Sequence, residues 1–219
     1  DIMKGRLDPR IPTISILKSG DATAVNQKGL PSGLDAGTLM ALTGETGPDA
    51  YSRPNPILYF AKNPYILLPY AEVEFLKAEA IERGWYTGTA ATEYAAGQSA
   101  AITQLSVNQG APSLTASVAA YQTANTYPST TLADKLLQIH TEMFILNAST
   151  LNGFEGWANY RRTGLPVLMP TNYPGNRTNG TIMRRLIYPV SEQGLNTNYK
   201  AAIAAQGPDE FTTRMWWDK

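Results

Sequence analysis

Leu68-Pro69-Tyr70-Ala71-Glu72-Val73-Glu74-Phe75-Leu76-Lys77-Ala78-Glu79-Ala80 is the stretch on which the fold turns. Tyr65, Leu68, Val73, Leu76 and Ala80 recur at spacings of three to five residues, while Glu72, Glu79 and Glu82 lie mainly off that stripe. This periodicity predicts a helix from about Leu67 to Arg83, and Gly84 stands where a left-handed C-terminal stop belongs. Thr87-Gly88-Thr89 supplies a turn and an N-cap candidate for a second helix near Ala90 to Val107. Tyr94, Ala95, Ala101, Ile102 and Leu105 form its expected packing face, with alanines that let two backbones approach closely. The two segments together predict a helical hairpin over about 67–107.

Leu68 to Gln104 is close to the roughly 34 residues of a tetratricopeptide-type repeat. Only one such unit is visible, and about three are normally needed to bury the helix faces. Its packing partners are therefore expected on another chain or on a segment missing from this one. Residues 1–63 read differently: they are rich in Gly, Pro, Ser, Asp and Asn, with one short β-like run at Ile11 to Leu17. Pro54, Pro56 and Pro64 hold the chain extended ahead of the first helix.

Beyond the hairpin, Ser113 to Ala124 suits a short helix. Leu132, Leu136, Ile139, Met143 and Leu146 predict a long one over Thr131 to Asn147. Gly153 and Gly156 separate it from a helix near Trp157 to Arg162, which Gly164 and Pro166 end. A β-compatible run at Ile182 to Tyr188 and a helical turn near Thr197 to Ala205 follow. The expected fold is mainly α: tetratricopeptide-like hairpins over 64–219, an irregular loop-rich lobe over 1–63, and little β.

Composition excludes several functions. Eighteen basic residues balance 18 acidic ones without a run of either sign, so no nucleic-acid partner is expected. The longest apolar stretch, around Tyr65 to Ala71, falls far short of the roughly 20 residues of a membrane-spanning helix. Cysteine is absent, which removes disulfides, thiolate metal sites and a cysteine nucleophile. The chain opens at Asp1 and is expected to be a processed product or a piece of a longer protein.

His140 is the single histidine, so a Ser-His-Asp triad or a multi-histidine metal site finds too few residues, and a core-edge or surface histidine is expected instead. Glu72, Glu74 and Glu79 raise glycoside hydrolysis, which needs two carboxylates about 5 to 10 Å apart. On a helix, however, Glu72 and Glu74 point about 200° apart, and a solvated or ion-paired face is the plainer reading. Arg161-Arg162 and Arg184-Arg185 could bind an anion, but internal pairing with the helix glutamates and cap carbonyls is favoured. Three N-glycosylation triplets, at Asn147, Asn176 and Asn179, are given no function. Sugars stack on Trp and Tyr rings; most of the 12 Tyr and 4 Trp are expected in or near the core, with Trp85 and Trp157 as packing residues. Tyr51, Arg53 and Asn55, in a Pro-rich loop outside regular structure, are the expected ligand contacts. No cofactor is expected, and a metal held by loop carboxylates and carbonyls stays open.

The blocks Asp8-Pro9-Arg10, Tyr70-Ala71-Glu72-Val73-Glu74-Phe75-Leu76, Arg83-Gly84-Trp85, Ile139 to Glu142, Trp157-Ala158-Asn159-Tyr160-Arg161-Arg162-Thr163-Gly164, Arg184-Arg185-Leu186, Tyr188-Pro189 and Trp216-Trp217-Asp218 carry a resemblance. In order and spacing they resemble the C-terminal portion of the SusD/RagB family. The resemblance implies a non-catalytic lipoprotein on the outer face of a Bacteroidota outer membrane. There it would partner a TonB-dependent, SusC-like transporter and capture oligosaccharides or peptides. It also implies that a lipid anchor and further repeats belong to an N-terminal portion of the same parent, a second partner. A tetratricopeptide adaptor and a glycoside hydrolase are the rival readings.

Overall fold

A computed structural model describes residues 2–45 and 47–218. Ten α-helices run in chain order: α1 (Ile2–Gly5), α2 (Ile11–Ile14), α3 (Ala36–Thr43), α4 (Tyr70–Glu82), α5 (Ala90–Thr103), α6 (Val118–Ala124), α7 (Leu132–Ser149), α8 (Gly153–Thr163), α9 (Val190–Leu195) and α10 (Tyr199–Gln206). Two-residue strands β1 (Ser15–Ile16) and β2 (Arg53–Pro54) pair antiparallel, Ser15 opposite Pro54, and form the single sheet among the described residues. The molecule is mainly α.

The two glycine stops work as expected, but Thr89, the N-cap candidate for α5, makes no side-chain capping bond. Gly84 takes φ +73° after α4, and Gly164 takes φ +71° after α8. Thr131 caps α7 through a reciprocal pair with Asp134. The β-like run at Ile11 to Leu17 is a correction: its first four residues form α2, because Pro12 lies in the first turn, where its missing N–H costs nothing. The run's next two residues, Ser15 and Ile16, do form β1, whereas Ile182 to Tyr188 forms no strand. The Arg184 and Arg185 N–H groups both donate to the Phe211 carbonyl, which ties the segment to a C-terminal turn rather than to a sheet. Other bounds shift too: α7 runs two residues past Asn147, α8 begins four residues before Trp157, and α1, α3 and α9 lie where the sequence predicts no helix.

α4 and α5 form the hairpin, and α7 of the same chain packs across it, so a packing partner expected on another chain or a missing segment is supplied here by the aliphatic face of α7. Ala71, Phe75, Ala78, Tyr94, Ala101, Ile139, Met143 and Leu146 make the core. A Cβ on Gly97 would lie 2.5 Å from the Phe75 ring, so this glycine permits the close approach of α5 to α4. The inner face of α4 is therefore Ala71, Phe75 and Ala78, and the stripe read from sequence lies mostly outside it. Tyr65 and Leu68 precede the helix and are exposed, and Leu76 is 39% exposed.

The glutamates lie inside, a second correction. Glu72, Glu74 and Glu79 are all buried. Glu79 accepts two hydrogen bonds from Arg162 at 2.9 and 2.7 Å and one from Arg83 Nε at 2.8 Å. This ion pairing, expected for a helix face, here binds α4 to α8 through a buried carboxylate and an Arg162 side chain that stays 39% exposed. His140 is fully buried, not at the edge, with Nε2 3.6 Å from Glu79. Burial opposes the Glu79 charge, but His140 and Arg162 outweigh it and hold the carboxyl well below its usual range.

The N-terminal segment is wired into the same core. Asp8 and Arg10 are buried and paired side-on, with Arg10 Nε and Nη2 donating at 2.8 and 2.6 Å. Glu142, fully buried on α7, accepts at one oxygen from Arg6 (2.6 Å), Tyr121 (2.9 Å) and Gln98 (3.0 Å). At the other end of the chain, the Arg161 guanidinium lies 3.7 Å from the Trp157 ring centroid and 4.7 Å from that of Trp217. Arg184 pairs with Asp218 and Arg185 with Asp209, both at 3.1 Å. All four arginines are thus engaged internally, but only Arg162 meets a helix glutamate as expected; Arg184 and Arg185 take C-terminal aspartates, and Arg161 donates to the Arg184 carbonyl. Trp85 departs from its expected packing role: it is 72% exposed, with Arg83 over its ring.

Candidate functional site: an aromatic groove without charge

Between β2 and α4 the chain carries Pro56-Ile57-Leu58-Tyr59-Phe60, then Asn63-Pro64-Tyr65. Asn55 starts this segment by accepting from the Ile57 N–H, which opens a 3-10 turn over Pro56–Tyr59. Asn63 then clamps it. Its amide donates to the Ile57 carbonyl, and its oxygen accepts from the Gln109 N–H at 2.8 Å. The aromatic loop is thereby fixed to the turn that follows α5.

The result is a groove of about 290 Å³. Leu58, Tyr59, Phe60, Tyr65 and Ile66 form one wall; Leu105, Asn108, Thr150 and Leu151 form the other. Tyr59, Phe60 and Tyr65 are 59%, 42% and 74% exposed. Other rings in the chain are equally open, Trp85 and Phe154 among them, but here three line one concave groove and so offer a contiguous stacking surface. Leu151 holds φ +58°, a conformation costly for a leucine, and a strained residue at a groove wall is a common companion of binding sites.

No residue lining the groove is charged. Its polar groups are the tyrosine hydroxyls, the Asn63 and Asn108 amides, and the Ser149 and Thr150 hydroxyls. Asn63 is committed to the clamp, and Thr150 bonds back to Leu146. Such a surface can stack against a flat, weakly polar face and exchange hydrogen bonds with hydroxyls or amides. It holds no acid or base. Among the described residues, no group of three or more His, Asp or Glu side chains could hold a metal ion.

The three residues chosen from sequence lie just upstream, and none lines the groove. Tyr51 is 3% exposed, with the Lys28 ammonium 4.6 Å from its ring centroid, and Asn55 is buried at the cap just described. Arg53 alone turns its side chain outward. Phe60 and Tyr59 were missed although the density of aromatic residues within a proline-spaced segment was a readable signal. Tyr65 was read as part of a helix face, but Pro69 starts the helix later.

No helix among the described residues is long and apolar enough to cross a membrane. Comparison with curated proteins finds no match. Solved structures match over nearly all of the chain. A chitin-binding protein is 30% identical with a TM-score of 0.78, covering 99% of this chain and 48% of its own. A chitin-binding SusD homolog from Flavobacterium johnsoniae is 29% identical with a TM-score of 0.74, over the same shares. A SusD homolog from Bacteroides fragilis, at 23% identity, matches in fold with a TM-score of 0.80, over 99% and 50%. The chain thus spans about half the length of these relatives. The SusD-like family model, described as starch-binding associating with outer membrane, matches residues 1–189, and the chain belongs to this SusD-like family.

Proposed function

We propose that this chain takes part in non-catalytic glycan capture at the outer face of an outer membrane, with a TonB-dependent, SusC-like transporter as partner. In this reading a lipid anchor and further helical repeats belong to an N-terminal portion of the parent protein. The observation that carries the proposal is the uncharged groove with Tyr59, Phe60 and Tyr65 open at its wall. The loop-rich lobe, residues 1–63, supplies Tyr59 and Phe60, and the helical region, 64–219, supplies Tyr65 and the facing wall. Tyr51 and Asn55 act as supports in this reading, while Arg53 offers an outward donor beside the loop. A chitin-type oligosaccharide is the first ligand to try, because two of the relatives are chitin-binding proteins of 30% and 29% identity.

Among the three glutamates raised by the sequence, Glu74 is tied to Lys77 and Glu79 is held ionised by its cations, so neither is free to donate a proton near neutral pH. Glu72 is pushed up by burial and by the Glu155 charge, but neither of these two residues lines the groove, which supports capture there rather than hydrolysis. The test is calorimetric titration of the full-length protein with oligosaccharide and peptide panels, followed by product analysis of any bound sugar. Tyr59→Ala and Tyr65→Ala are each expected to weaken glycan binding by tenfold or more, the loss typical of a central aromatic anchor. Unchanged affinity in both variants refutes the groove, release of shorter sugars refutes the non-catalytic reading, and binding of peptides alone refutes the glycan class.

A further inference from the structure

Within the groove, the side chains divide into those spent on the fold and those left over. Asn63 spends its donor on Ile57 and its acceptor on Gln109. Thr150 spends its hydroxyl on Leu146. Asn108 differs: its backbone N–H donates to the Leu105 carbonyl and its own carbonyl accepts from the Ala111 N–H, but no described residue bonds its side-chain amide. The residue is half-buried in the wall, and the backbone bonds on either side hold it in place. The Gln109 N–H anchored by Asn63 fixes the very next residue. An amide whose backbone is fixed and whose side chain bonds nothing within the fold is suited to a ligand, because its position is set and both its donor and its acceptor stand open.

Charge points the same way. No cation or carboxylate lines the groove, so an acidic sugar entering it would leave its carboxylate or sulfate without a partner in a partly dry site. The nearest loop cation in sequence, Lys62, is exposed and outside the lining. A group that both donates and accepts, facing rings that stack, matches a hydroxyl or acetamido group on a neutral sugar.

Resting on the reading that this groove binds glycan, we infer that Asn108 is its polar specificity determinant and that the ligand is an uncharged oligosaccharide. The two parts are tested together on the full-length protein. The probes are chitooligosaccharides and maltooligosaccharides as neutral ligands, and oligogalacturonides and heparin fragments as acidic ones, each titrated in 50 and 500 mM NaCl. Asn108→Ala is expected to lower affinity for the bound neutral sugar by about tenfold, the loss of one good hydrogen bond in a partly buried site. Its thermal midpoint should stay unchanged, since the side chain bonds nothing within the fold. Binding of the neutral sugar should not respond to salt.

The outcomes separate the two levels. If Tyr65→Ala abolishes binding and Asn108→Ala leaves it intact, the groove stands and the role of Asn108 is overturned. If acidic oligosaccharides bind at least as tightly, with an affinity that collapses in 500 mM salt or in Lys62→Ala, the uncharged class is overturned. If neither tyrosine matters, the failure belongs to the groove itself.

Discussion

Replacing Glu142 by glutamine keeps the shape of the most buried acid in the protein and removes only its charge. In the native cluster two cations, Arg6 and Arg10, face two anions, Asp8 and Glu142, all at 12% side-chain exposure or less. Arg10 is already held side-on by Asp8, so the charge left over by the substitution falls on Arg6. Burial disfavours the Arg6 charge, but Glu142 and the surrounding tyrosines outweigh it and raise its pKa, so arginine cannot escape by losing its proton. Breaking a buried pair by removing one partner costs about 3–5 kcal/mol. Because Arg6 keeps a 12% opening to water, the lower end applies, and we expect a loss of about 3 kcal/mol. For a chain of this size that lowers the thermal midpoint by about 6–12 °C. Urea unfolding followed by circular dichroism measures it directly, with an unchanged slope showing that the surface exposed on unfolding is the same. Arg6→Gln combined with Glu142→Gln should recover about 1–3 kcal/mol relative to the sum of the single losses. A loss below about 1 kcal/mol in Glu142→Gln, or strictly additive effects in the pair, would refute the account of Glu142 as the charge that holds residues 6–10 onto α7.

Two further predictions concern packing and pH. Gly97→Ala should destabilise the chain by about 1–2 kcal/mol, because overpacking against the immobile Phe75 ring outweighs the roughly 1 kcal/mol gained in helix propensity. Gly194→Ala, in α9 with open space around it, should instead gain up to about 1 kcal/mol, and denaturation midpoints that move the same way in both variants would sink the close-approach argument. The Glu79 carboxyl titrates in the folded chain below its ordinary value of 4.5, so its stabilising contribution is complete above that pH and is lost as pH falls further. Stability measured by urea titration should decline below pH 4.5 with a contribution from this group of up to about 1.4 kcal/mol per pH unit, and Glu79→Gln should flatten that decline; an unchanged acid profile in the variant counts against it.

What could be read in the sequence was what is local. Gly84 and Gly164 act within a few residues of themselves, and each stands in the structure where its chemistry put it, whereas Thr89 occupies the N-cap position of α5 without a capping bond. The faces of α4 were less legible, because periodicity counts hydrophobic residues and assumes that carboxylates face water. Here the carboxylates go inside, and the reason lies elsewhere in the chain: Arg162 is 83 residues from Glu79, and Arg6 is 136 from Glu142. No window of sequence contains both halves of such a pair. The same long-range pairing explains why the family-like blocks at Asp8-Pro9-Arg10, Ile139 to Glu142 and Arg161-Arg162 read as scattered motifs while forming two buried junctions.

The candidate groove follows the opposite logic. Its wall is assembled by neutral hydrogen bonds, and its aromatic residues are local to one proline-spaced segment, so the segment was identifiable although the residues first chosen within it, Tyr51 and Asn55, proved to be inward supports. In this chain, then, charge is spent on binding distant segments together, through Glu79, Glu142, Asp209 and Asp218. The proposed ligand surface is one that no charged residue lines. Under that proposal, a change at Tyr59, Phe60 or Asn108 alters what is bound without touching any ion pair that holds the helices in place.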